Sequence, residues 1–170
     1  MTEGFVGLGS NLGDRRAYLE AAIQDLATAG IEPVCSSSVW ETEPVGAGVG
    51  GWFWNMVVRV QTELSAESVL ERLLEIEARN GRTRDGDLRP RTLDLDLLVL
   101  GDVRLELPRL HLPHPRMWER SFVLAPLAEI AADWVDPWTG RNPRTALAEL
   151  SDPAKVRCIG SLASAVGAPL

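Results

Sequence analysis

A chain of 170 residues, 45% hydrophobic and 24% charged, has the length and composition of one soluble globular domain with a real core. Its net charge of −7 and pI near 4.9 exclude the broad basic face that general nucleic-acid binding requires. Two cysteines, Cys35 and Cys158, stand far apart in no metal or redox pattern, and neither a signal peptide nor a spanning apolar run is read, so a cytoplasmic protein without membrane association is expected.

In chain order, residues 5–8 read as a short apolar strand. Asp14 caps a helix whose apolar positions Leu19, Ala22, Ile23 and Leu26 repeat at the helical period, with Gly30 as its stop. Residues 34–40 predict a strand, residues 43–51 a mobile loop with four glycines and a proline, and residues 52–60 a strong aromatic and β-branched strand. Ser65 starts a second helix with Leu70, Leu73, Leu74 and Glu77 on one stripe, ended by Asn80-Gly81. A loop holding Arg82, Arg84, Arg89 and Arg91 leads into an apolar strand, 93–100. After it come a short strand at 103–107, a proline-punctuated stretch to Pro115, a helix from 125 or 126 to 131, a turn at 136–140 and a helix at 145–150. The tail from about residue 151 carries little signal. The order β-α-β-β-α-β predicts an α+β, ferredoxin-like core with a C-terminal extension of short strand and helices, all in a single domain. That plan hosts many activities, so function must come from the side chains.

Asp94 and Asp96 interrupt the apolar run two residues apart. In a strand they project from the same face, while Leu93, Leu95 and Leu97 project from the other. Two like charges in a buried strand call for a cation between them, and an all-oxygen site favours a hard ion such as Mg²⁺ over zinc. The competing reading is an edge strand with one wet face, although Asp is depleted in strands. The arginines before the pair suit phosphate oxygens, and an arginine loop beside a metal strand is what polyphosphate transfer needs. A solvated basic loop is the alternative. Glu77 lies on the apolar stripe of its helix and points inward. Asn55 interrupts an aromatic strand and shares a face with Phe53, so a flat heterocycle could stack and be hydrogen-bonded there, with Phe122 as a second stacking partner. A core aromatic beside a backbone-satisfied Asn is the alternative for that pair. Gly7, Gly9 and Gly13 have G-x-G-x-x-x-G spacing, one residue too long for a dinucleotide fingerprint. They read as a tight strand-to-helix connection in which Ser10 and Asn11 bond locally.

Six segments together resemble the hydroxymethyldihydropterin pyrophosphokinase family. They are Gly9-Ser10-Asn11-Leu12-Gly13-Asp14-Arg15, Glu41-Thr42-Glu43-Pro44-Val45-Gly46, Gly81-Arg82-Thr83-Arg84, Pro90-Arg91-Thr92-Leu93-Asp94-Leu95-Asp96-Leu97-Leu98, Leu112-Pro113-His114-Pro115-Arg116 and Arg120-Ser121-Phe122-Val123-Leu124-Ala125-Pro126-Leu127. The likeness covers roughly residues 4–138. It implies transfer of the terminal pyrophosphate of ATP to the hydroxymethyl group of a reduced pterin, releasing AMP, as a step of folate synthesis. By the same resemblance Asp94 and Asp96 hold two Mg²⁺ ions, and Arg82 and Arg91 assist transfer. The pterin lies between Phe53 and Phe122, with its edge met by Asn55 and by backbone around Thr42, Pro44 and Val45. Nucleotide contacts fall on Glu77, Arg84, Arg109, His114 and Arg120. The implied partners are ATP and a reduced pterin, bound by a monomer. One departure stands out. The stretch Asp87-Leu88-Arg89 is short and lacks the aromatic that many members place before the Pro-Arg-Thr-Leu-Asp-Leu-Asp block. A ferredoxin-like module that binds nucleotide or RNA without catalysis is the second reading; it would want basic flanks where this chain is acidic.

Overall fold

The computed structural model describes residues 1–43, 51–83, 90–151, 155–163 and 166–167. Six strands form one sheet: β1 (Thr2–Ser10), β2 (Ile31–Ser36), β3 (Val39–Thr42), β4 (Phe53–Thr62), β5 (Asp94–Leu100) and β8 (Val156–Gly160). Its order is β5-β1-β4-β3-β8, with β2 also on β4. Taking β2 and β3 as one interrupted strand gives the fourth-first-third-second order of the ferredoxin-like plan, and every pairing is antiparallel. A separate hairpin, β6 (Leu105–Leu107) and β7 (Leu110–Leu112), follows β5.

Two helices cover one face of the sheet. In α1 (Arg15–Thr28) the Asp14 carboxylate accepts from the Ala17 N–H at 3.0 Å, and Leu19, Ala22, Ile23 and Leu26 are buried. Gly30, with φ 81°, supplies the left-handed turn that ends this segment. In α2 (Ala66–Arg79) the Ser65 hydroxyl accepts from the Ser68 N–H at 3.2 Å, and Ala66, Val69, Leu73, Ile76 and Glu77 are buried. These stripes pack on Val6, Leu8, Met56, Val58, Val60, Leu95 and Leu97 from β1, β4 and the edge strand β5. The opposite face is half covered. There α3 (Ser121–Ala131) and α4 (Pro143–Glu149) pack on Phe5, Val57, Leu98 and Val99. They stop short of Gly9, Asn55 and Asp94 at the far end of the same face.

The structure corrects several expectations. The strand expected at 34–40 is two strands, because the chain turns aside at Ser37 and Ser38. The Ser37 hydroxyl accepts from the Val57 N–H (3.0 Å), while Ser38 donates twice to Glu129 of α3. The helix expected from 125 begins at Ser121, with Pro126 inside it. Proline there removes only one amide, and the buried Val123, Leu124, Leu127 and Ile130 outweigh that loss. The tail is not featureless, since β8 pairs with β3. No helix among the described residues is long and apolar enough to cross a membrane.

Candidate active site

Strand β5 places the aspartates. Leu95 and Leu97 are buried under α2, so Asp94 and Asp96 face the open end of the opposite side. Asp94 is held by two arginines. Arg91 Nη1 donates to its Oδ2 at 2.8 Å, and Arg82 Nη1 donates to its Oδ1. The same Arg82 nitrogen donates to Glu77 Oε1. Glu77 is 2% exposed, as its place on the helical stripe implies, and it also accepts from the Leu95 N–H at 2.8 Å. This glutamate therefore joins α2 to strand β5 and to Arg82.

Asp96 differs from its neighbour. No hydrogen bond or ion pair among the described residues neutralises its carboxylate. Burial and the charge of Asp94 push its pKa up to about 6, against the weaker pull of Arg120 and Arg82. A cation beside such a carboxylate would favour its charged form. No group of three acidic, His or Cys side chains that could hold a metal occurs among the described residues. Two oxygen donors suit an ion that takes its remaining ligands from water and phosphate, as Mg²⁺ does with nucleotides.

Arg120 ends the irregular chain before α3, and its guanidinium lies 5.5 Å from the Phe122 ring centroid. His114 is fixed by its backbone N–H on the Leu98 carbonyl (2.8 Å), and its Nδ1 accepts from the Arg116 N–H (3.2 Å). Burial, then the cations Arg120 and Arg116, lower its pKa to about 4, so the imidazole is neutral at pH 7. Three carboxylates (Glu77, Asp94, Asp96) thus face three guanidiniums (Arg82, Arg91, Arg120) in one cluster.

The second half of the site lies on β4 and β3. Asn55 is buried, and its Nδ2 donates to Thr42 Oγ1 at 2.9 Å, which leaves Oδ1 as an acceptor. Phe53 stands two residues along on the same face, half-buried. Gly9 is the Cα partner of Asn55 on one side and of Asp94 on the other. The two halves are therefore separated by one strand without a side chain, about 10 Å at ordinary strand spacing. Asp94, Asn55 and Phe53 border Gly9, Thr42 backs Asn55, and Asp96 stands opposite Gly7 on the same face. Phe122 on α3 lies beside Arg120 and packs on the α3 core. Arg109 is exposed in the turn between β6 and β7. Pro44, Val45 and Arg84 lie outside the described residues, as does most of the 43–51 loop expected to be mobile and of the arginine loop.

The sequence reading missed Asn11. It was expected to bond locally, yet it reaches 80 residues along the chain. The Arg91 N–H donates to its Oδ1 at 2.6 Å, and its own N–H donates to the Arg91 carbonyl at 3.0 Å. A polar residue just past a strand end is the only sequence signal for this.

A profile of the 7,8-dihydro-6-hydroxymethylpterin-pyrophosphokinase family matches residues 5–132. The chain belongs to this family. A 2-amino-4-hydroxy-6-hydroxymethyldihydropteridine pyrophosphokinase of Methylorubrum extorquens is 44% identical over 157 residues, 92% of this chain and 98% of the relative. One of Bacillus subtilis is 46% identical over 127 residues, 74% of this chain and 76% of that protein. Among solved structures, Plasmodium falciparum HPPK-DHPS with pteroate superposes with a TM-score of 0.69 at 15% identity, covering 87% of this chain and 42% of that one. That likeness speaks for the fold alone. Pyrophosphokinases of this family work with Mg²⁺.

Proposed function

We propose that this chain transfers the β,γ-pyrophosphate of ATP to the hydroxymethyl group of 6-hydroxymethyl-7,8-dihydropterin over Gly9, acting as a single-domain monomer with two Mg²⁺ ions. The observation that carries the reading is the adjacency of an oxygen-donor pair, Asp94 and Asp96, to a carboxamide and ring surface, Asn55 and Phe53, one bare strand apart. The pterin hydroxyl oxygen forms a bond to the β-phosphorus, and the bond from that phosphorus to the α–β bridging oxygen breaks, so AMP leaves. When bound, Mg²⁺ neutralises phosphate oxygens and orders the chain for in-line attack.

The chain's own residues do the rest. Asp94 and Asp96 hold the ions. Arg91, fixed at its backbone by Asn11, and Arg82 stabilise charge that develops on the transferred group. Phe53 and Phe122 bracket the ring, and Asn55 reads its edge together with backbone near Thr42, Pro44 and Val45. Glu77 fixes Arg82 and β5, so its contribution to the nucleotide side is through position. Arg84, Arg109, His114 and Arg120 serve the nucleotide. Neutral His114 offers an Nε2–H donor, since Nδ1 already accepts. The hydroxyl proton passes to solvent or phosphate; no side chain described is placed as its base. Incubation with ATP, Mg²⁺ and the pterin, followed by chromatography, is expected to give AMP and pterin diphosphate in equal amounts. ADP as the product, or AMP formed equally without pterin, would refute the reading.

A further inference from the structure

Gly9 reads in sequence as part of a turn, but it sits in a buried strand at the centre of the site. Its φ is not in the left-handed region, so backbone conformation does not require a glycine. Space does. A Cβ at this position would lie 3.1 Å from Asn55 Oδ1, 3.9 Å from Asp94 Cβ and 4.0 Å from Phe53 Cδ1. The last two are ordinary contacts. The first obliges the carboxamide to give way by a few tenths of an ångström, and it is held from behind, because a swing of the amide strains the 2.9 Å bond from Nδ2 to the buried Thr42 hydroxyl. Asn55 Oδ1 is thus confined between Thr42 on one side and the bare Cα of Gly9 on the other.

We infer that Gly9 is a specificity-determining position, which sets the aim of the Asn55 acceptor at the N–H edge of the heterocycle. The inference rests on the assignment of the pterin to Asn55. A side chain at Gly9 tilts the acceptor and weakens the pterin while leaving the nucleotide alone, since Asp94 is only at contact distance. The ligand class it selects is a flat ring with a donor edge coplanar with that oxygen. Gly7, on the same strand and face, is the natural comparison. A Cβ there meets nothing closer than Leu98 methyls at 3.8 Å, so Gly7→Ala reports the generic effect of alanine on β1 stability.

The test is calorimetry on the full chain, titrating 6-hydroxymethylpterin with Mg²⁺ and a non-hydrolysable ATP analogue saturating, and titrating the analogue separately. Wild type, Gly9→Ala, Asn55→Ala and the double variant are compared, with melting curves alongside Gly7→Ala. Gly9→Ala is expected to lose about tenfold or more in pterin affinity, keep nucleotide affinity within about twofold, and add little in the Asn55→Ala background, as contacting residues are non-additive. Pterin affinity within about twofold of wild type in Gly9→Ala, while Asn55→Ala loses it, overturns the inference and leaves the pterin assignment standing. Unchanged binding in Asn55→Ala overturns both. Additive losses, or parallel loss of nucleotide and melting temperature beyond that of Gly7→Ala, assign Gly9 a purely structural role and overturn the inference.

Discussion

Arg82 Nη1 is shared between Asp94 and Glu77, so a guanidinium already occupies the side of Asp94 that faces the arginine loop. Arg91 takes the other oxygen of Asp94 at 2.8 Å. A divalent ion must compete with these cations for Asp94, whereas Asp96 offers a carboxylate whose charge is unmet. Metal and phosphate arriving together resolve the competition, because the phosphates give the arginines new partners.

Arg82→Ala should therefore lower turnover far more than nucleotide affinity. A donor aimed at developing charge contributes on the order of 10²–10³ in rate, and an interaction made mainly in the transition state leaves ground-state binding nearly intact. Pre-steady-state chemistry and analogue titration check this. Equal losses in both would make Arg82 an ordinary phosphate anchor. The same variant leaves buried Glu77 with a weaker set of partners, and urea unfolding should show a loss of about 1–3 kcal/mol.

Asn11→Ala should copy Arg91→Ala in kind. It removes the acceptor of the Arg91 N–H and frees the exit of the arginine loop to shift. An ångström of misplacement at a reacting group costs on the order of 10²-fold in rate. The double variant should be little worse than Arg91→Ala alone, and Asn11→Asp, which keeps an acceptor oxygen, should recover part of the rate. Additive losses would separate Asn11 from Arg91.

His114 should stay neutral far below the usual histidine range. Its pKa is about 4 in the folded chain, lowered by burial and by Arg120 and Arg116 against the pull of Asp94. Between that value and the ordinary one near 6.5 the unfolded chain binds more protons. Its contribution to stability is thus complete above about pH 6.5 and is lost as pH falls toward 4. Two-dimensional NMR assigned with His114→Gln, together with unfolding at pH 7 and pH 5, checks both statements. A midpoint near 6.5 for His114 would contradict them.

The parts legible in sequence were those with a local cause. Alternation placed Asp94 and Asp96 on one face, and the helical stripe turned Glu77 inward. Caps at Asp14 and Ser65 marked both helix starts. The parts missed have distant causes. Nothing around Ser37 and Ser38 shows a strand break, because the break is made by Val57 and Glu129. The tail has no strand pattern of its own; β8 forms because β3 offers an open edge. Asn11 looked like a turn residue since its partner is 80 residues away. Gly9 looked like a turn glycine, and only its pairing with Asn55 and Asp94 shows why the space matters.

Metal binding at the aspartates is tested most directly with Mn²⁺ in place of Mg²⁺, reading bound ion by electron paramagnetic resonance with a non-hydrolysable ATP analogue present. Wild type, Asp94→Asn and Asp96→Asn are compared, since each change removes a charge at nearly constant volume. Asp96→Asn should also raise the melting temperature of metal-free protein, because it relieves a half-buried like-charge pair. The expected result is a tight Mn²⁺–nucleotide complex in wild type that is lost in both variants while the fold persists. Retention of that complex, with wild-type affinity, in either folded variant would contradict the assignment of Asp94 and Asp96 as the metal site.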